Sequence, residues 1–126
     1  MELSRQQSSG KLYIRAVGAD GISIGDTSYA ESLIVSPERV EPNWPVTSVS
    51  EISEQNLQAV LAFEPELVLI GTGRTQRFLD PAIAMVFHSR GVGIEVMTTA
   101  AACRTFNVLV MEERRVVAAL LPPDTP

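Results

Sequence analysis

Seven residues of this chain have the types and spacing to hold a small anion. Gly71, Thr72, Gly73 and Arg74 follow the apolar tetrad Leu67 to Ile70. Their backbone amides therefore fall at the carboxyl edge of a strand, where open α/β sheets bind ligands. Thr98 and Thr99 precede three alanines, so a helix amino terminus adds partial positive charge at the same edge if the two strands are parallel neighbours. Arg104 follows a turn later. These residues predict a small polar pocket for a phosphate, sulfate or carboxylate, with Arg74 and Arg104 facing it. The motif is weak, however. A dinucleotide fingerprint needs a third glycine three residues after Gly73, where Gln76 stands, and the next helix begins only at Pro81. A tight turn out of a central strand is the simpler reading of the same glycines.

Other reactive side chains are isolated. Cys103 sits in the apolar stripe of a helix and reads as an inert core thiol. His88 lies near the carboxyl end of a surface helix, without a serine or cysteine to activate. Glu95 alternates with Ile94 and Val96 and reads either as exposed on the pleat or as a buried acid paired with an arginine. No paired carboxylates and no nucleophile set stand out, so no catalytic residue and no cofactor are assigned. One cysteine excludes an internal disulfide, and one histidine with one cysteine is too few for an ordinary zinc site.

The elements that must position these residues are clear in the second half. Leu67 to Ile70 reads as a buried parallel strand. Asp80 and Pro81 supply an N-cap and a preset first turn for a helix that buries Ile83, Val86 and Phe87 and stops at Gly91. Val92, Ile94 and Val96 then alternate as a strand. Thr98 or Thr99 caps a second helix, with Ala102, Cys103, Phe106, Leu109 and Val110 on one stripe and Arg104 and Asn107 on another face. After the charged reversal from Glu112 to Arg115, Val116 to Leu121 is a strand covered on both sides, closed by Pro122 and Pro123. Strand, helix, strand, helix, strand implies right-handed crossovers and a layered α/β core.

The first half is specified more by its turns. Residues 1 to 10 form a polar tail expected to be disordered, and a single α/β domain spans 11 to 123. Leu12 to Val17, Ile22 to Ile24 and Tyr29 to Val35 predict an N-terminal antiparallel β meander. Val40 to Pro45 reads as an extended connection in which Trp44 covers the core, an interface anchor being the rival reading. Ser53 resembles an N-cap for a helix carrying Leu57, Val60 and Leu61 and ending near Phe63.

At 126 residues, 45% of them hydrophobic, the chain can support one core without staples. Fifteen acidic against ten basic residues give a net charge of -5, which argues against a nucleic-acid partner. No apolar run approaches the roughly 18 residues of a transmembrane segment. Met1 to Ser9 show neither a signal peptide nor an arginine-rich transit peptide, so cytoplasmic residence is expected.

Leu69 to Gly73, Glu95 to Met97, Ala101 to Asn107 and Arg114 to Leu120 together carry a resemblance. The chain resembles the small domain family of uncharacterised function that includes an assembly factor of mitochondrial respiratory complex I. The resemblance implies a three-layer α/β sandwich around a mixed sheet. It also implies a non-enzymatic interaction domain with a protein partner, aiding assembly of a respiratory or other membrane complex. Two positions depart from the family pattern. Thr98 stands where relatives tend to carry an acidic residue after Glu-Val-Met. Glu113 stands where they tend to have glycine, so the reversal is expected to be built differently, since a left-handed residue there costs about 1 kcal/mol. The alternative function is an anion-binding protein or enzyme using the Gly71 to Arg74 loop. An exposed apolar patch favours the first reading and a concave polar pocket the second.

Overall fold

The computed structural model describes residues 10 to 126; the tail expected over residues 1 to 10 lies, apart from Gly10, outside the described residues. Two sheets form. Strands β1 (Ile14–Gly18), β2 (Gly21–Ile24) and β3 (Thr27–Tyr29) make an antiparallel meander. Strands β4 (Leu33–Val35), β5 (Val40–Pro42), β6 (Leu67–Gly71), β7 (Gly93–Met97) and β8 (Val116–Leu120) make a mixed sheet in the order β5-β4-β8-β6-β7. In it β6 runs parallel to both β7 and β8, while β4 is antiparallel to β5 and β8.

The two-residue period of the central strands divides the interior into two cores. On one face Leu33, Val35, Leu69, Ala118 and Leu120 pack with the meander's Ile14, Ile22 and Ile24 and with Ala102, Cys103, Phe106 and Val110 of helix α3 (Thr99–Met111). On the other, Ile34, Val68, Ile70, Val117 and Ala119 pack with Trp44, Leu57, Val60 and Phe87. Leu57 and Val60 belong to the single-turn helix α1 (Gln58–Leu61) and its N-cap, and Phe87 to α2 (Pro81–His88). Each strand thus sends alternate side chains to opposite layers. This three-layer sandwich around a mixed sheet, preceded by the meander, has the architecture expected from the sequence.

Three local expectations need correction. The segment Tyr29 to Val35 is not one strand: β3 ends at Tyr29, and β4 leaves the meander to pair with β8. Ser32 makes the break, donating its hydroxyl to the Val46 carbonyl while its own carbonyl accepts from Trp44 N at 2.9 Å. Residues 33 to 35 are then all buried, which only a sheet covered on both faces can provide. Val40 to Pro42 is an edge strand rather than a connection, and Pro42 suits an edge because it has no N–H to leave unpaired. The helix after Ser53 shrinks to Gln58–Leu61. Ser53 and Asn56 still exchange bonds, Asn56 Oδ1 accepting from Ser53 N at 2.9 Å and Ser53 Oγ from Asn56 N at 3.2 Å.

Asp80 and Thr98 cap their helices as expected, accepting from Ala82 N at 2.9 Å and Ala101 N at 3.2 Å. Trp44 is core cover, 3% exposed, with its Nε1 donating to Asn56 O at 3.0 Å.

Candidate functional site

The parallel register pairs Gly71 with Met97, so Gly71 to Arg74 and Thr98 to Thr99 do meet at one carboxyl edge of the sheet. Their amides bond within the protein. Thr72 N donates to Met97 O at 2.9 Å, Gly73 N to Thr99 Oγ1 at 2.8 Å and Arg74 N to Thr125 O at 2.8 Å. Thr99 N in turn donates to Gly73 O at 3.0 Å. Both Thr72 and Thr99 are fully buried. The glycines are required by close approach: a side chain on Gly71 would come within 2.9 Å of Thr99 Oγ1. One on Gly73, at φ +105°, would come within 2.5 Å of Thr125 O. An anion at this edge therefore has side chains, not a cradle of free amides, to bind it.

The two arginines separate. Arg74 is exposed beside the loop. Arg104 lines a different hollow, of about 320 Å³, between α3 and β1, together with Arg15 and Asn107. Arg77 takes the place expected for Arg104. It lines a hollow of about 310 Å³ with Thr47, Ser48, Ser50, Thr72 and Thr125. The Thr47 and Thr72 hydroxyls donate within the chain, to Glu51 and to Thr75 O, which leaves the Ser48 and Ser50 hydroxyls and the Arg77 guanidinium as the groups that bind an oxyanion.

A larger hollow, about 650 Å³, is also lined by Arg77. Val49, Ile52, Leu79 and Ile83 give it an apolar floor, and Phe78 stands at it 91% exposed. Arg77 and Phe78 escape sequence reasoning because a loop has no periodicity against which an outward phenylalanine looks wrong. The one available signal is a bulky apolar residue between Arg77 and Leu79 in a stretch with no helical or strand pattern. The short turn Val49–Glu51 is braced nearby: Glu51 accepts from the Thr47 amide at 2.8 Å and from its hydroxyl, which together hold the carboxyl below the usual carboxylate range.

The remaining candidates are far from chemistry. Cys103 is buried, and loss of solvent pushes its thiol up to about 12, against a small opposing pull from Arg104. His88 and Glu95 are exposed. Among the described residues no group of histidine, cysteine and acidic side chains is placed to hold a metal, and no helix is long and apolar enough to cross a membrane.

Comparison with known proteins places these features in a family. A crystal structure of a protein from Bordetella parapertussis superposes with a TM-score of 0.84 at 37% identity, covering 90% of this chain and 97% of that one. A Xenopus tropicalis protein named NADH dehydrogenase (ubiquinone) 1 alpha subcomplex assembly factor 3 is 34% identical over 115 residues, 90% of this chain. The match spans 62% of that relative's length. A Francisella tularensis protein named 13 kDa major membrane protein is 32% identical over 101 residues, 79% of this chain and 80% of its own. Residues 14 to 121, from the first strand to the end of the last buried run, match the family described as protein of unknown function (DUF498/DUF598), and the chain belongs to it.

Proposed function

We propose that this chain is a non-enzymatic protein-interaction domain that assists assembly of a respiratory or other membrane complex, with the loop from Arg74 to Leu79 as its contact surface. The observation that carries this is Phe78: a large apolar side chain held 91% exposed beside an apolar hollow, on a loop anchored at both ends. Exposed aromatics flanked by arginine are the residue types that dominate binding energy at interfaces. The relatives named as assembly factors support the same class of function.

The test is affinity capture of the tagged full chain from its own cells, in parallel with Phe78→Ser. A partner held reproducibly by the wild type and lost by the variant, at unchanged melting temperature, is the expected result. Identical captures with both, or no protein partner alongside a co-purified metabolite, would overturn it.

The second reading, a small oxyanion bound at the same edge, is favoured by the hydroxyl-lined hollow containing Arg77. Arg74 and Thr72 stay in this proposal, with Gly71, Gly73, Thr98 and Thr99 as its scaffold, and Arg104 lies in the hollow beside α3. Titrating phosphate while following backbone amide resonances would show saturable shifts at Ser48, Thr72 and Arg77; their absence would exclude it.

A further inference from the structure

β7 is an open edge. Among the described residues it is the last strand of its sheet and has a neighbour, β6, on one side only. Gly93 N donates to Glu66 O at 3.0 Å and Met97 O accepts from Thr72 N at 2.9 Å. The parallel register, which sets Glu95 opposite Leu69 between these two bonds, turns the odd-numbered residues toward β6. The N–H and C=O groups of Ile94 and Val96 consequently point away from the sheet. Of these four groups the Val96 carbonyl is taken, by Gln76 Nε2 at 3.0 Å. Every residue of β7 is half-buried or exposed, whereas β8 is buried throughout.

Charge decides what suits this edge. Glu95, at its centre, is exposed and makes no ion pair among the described residues. Side chains directly across an antiparallel pair approach to about 4.5–5.5 Å, where like charges repel and opposite charges attract. The register that would pair Ile94 and Val96 of one copy with Val96 and Ile94 of another sets two Glu95 carboxylates face to face. The edge is therefore set against a second copy of this chain and toward a strand with a cation at its centre. A net charge of -5 favours the same kind of partner.

We infer that β7 is a strand-addition site that accepts an extended segment of a partner protein carrying Lys or Arg opposite Glu95. The inference rests on the reading of the chain as an interaction domain, and names the form its partner takes. Strand addition draws affinity from main-chain bonds and selectivity from alternate side chains. Gln76, which closes one end of the edge, lines the same hollow as Phe78.

The test is selection of phage-displayed random heptapeptides on the immobilised full chain, on Val96→Pro and on Glu95→Lys. Proline at 96 removes an outward N–H and no bond of the sheet. The wild type is expected to enrich peptides with a central Lys or Arg among β-branched residues. Val96→Pro is expected to lower that enrichment at least about tenfold, and Glu95→Lys to switch the selected charge to acidic. Enrichment untouched by Val96→Pro, a charge preference untouched by Glu95→Lys, or no enrichment over the unselected library would overturn the inference. So would a dimer in sedimentation that Val96→Pro dissolves.

Hydrogen exchange on the unaltered chain keeps the test decisive if the proline variant does not fold. The Ile94 and Val96 amides should exchange at least about tenfold faster than those of Glu95 and Met97, and slow when a selected peptide is added. Equal protection of all four in the free chain would sink the idea. Loss of a captured partner with Phe78→Ser, without any selection at β7, would leave the interaction reading standing and remove only strand addition.

Discussion

The hydroxyl of Thr99 accepts a hydrogen bond from the Gly73 amide at 2.8 Å and donates its own proton to the Leu121 carbonyl at 2.8 Å. One buried side chain thus joins the loop after β6, the start of α3 and the end of β8. Thr99→Val keeps the shape and removes the hydroxyl, leaving two buried backbone groups unpaired. At about 1–3 kcal/mol for each unsatisfied group, the variant should lose about 2–4 kcal/mol in urea unfolding, while Thr99→Ser should lose about 1 kcal/mol or less. A larger loss with Thr99→Ser than with Thr99→Val would mean that packing of the methyl, not the hydroxyl, matters here.

Asn107 ties the meander to the main body. Its Oδ1 accepts from Ile14 N and its Nδ2 donates to Ile14 O, both at 2.8 Å, so the side chain extends β1's hydrogen bonding as a neighbouring strand would. Asn107→Ala should cost about 2 kcal/mol, since both backbone groups lose their partner. Native-state hydrogen exchange should show the Ile14 amide opening first, with the amides of β6 and β8 still protected.

Glu113 stands at φ +61°, between Glu113 N to Val110 O at 2.9 Å and Arg114 N to Leu109 O at 3.0 Å. This is a Schellman closure. The expectation of a differently built reversal is therefore corrected: the left-handed turn is retained and the glutamate carries its strain. The next residues help hold it, because Glu66 accepts from Arg115 N at 2.9 Å and from Arg114 Nε at 3.2 Å. Glu113→Gly should stabilise the fold by about 1 kcal/mol, read as a higher midpoint in thermal melts.

Cys103 gives a pH dependence of known sign. Burial raises the folded thiol from an ordinary value near 9.0 to about 12. The folded chain holds this proton while the unfolded chain releases it, so the stability it contributes is full below pH 9 and lost as pH climbs toward 12. Cys103→Ala should flatten the alkaline limb of the stability curve. Iodoacetamide should label the native thiol only as fast as the chain opens.

The aromatic at 44 and the glycines at 71 and 73 show where reading by residue type succeeds. Tryptophan beside proline needs cover, and a loop leaving a buried strand needs room, so both follow from local chemistry. The same holds for Asp80 and Thr98, whose short side chains cap the helices they precede. Ser32 was opaque, because what holds the break between β3 and β4 there is a bond to Val46, fourteen residues away.

By itself the sequence determined the order and type of the elements from Leu67 to Leu121, the covering of the central strands on both sides and the fate of Cys103, because period, capping and burial are properties of neighbouring residues. Only the tertiary structure decided that β4 joins β8, that the Thr72, Gly73 and Arg74 amides are spent on Met97, Thr99 and Thr125, and that Arg77 rather than Arg104 lies in the hollow beside Thr72. Those facts depend on groups far apart in the chain competing for the same hydrogen bonds and the same space, and such competition leaves no local period to read.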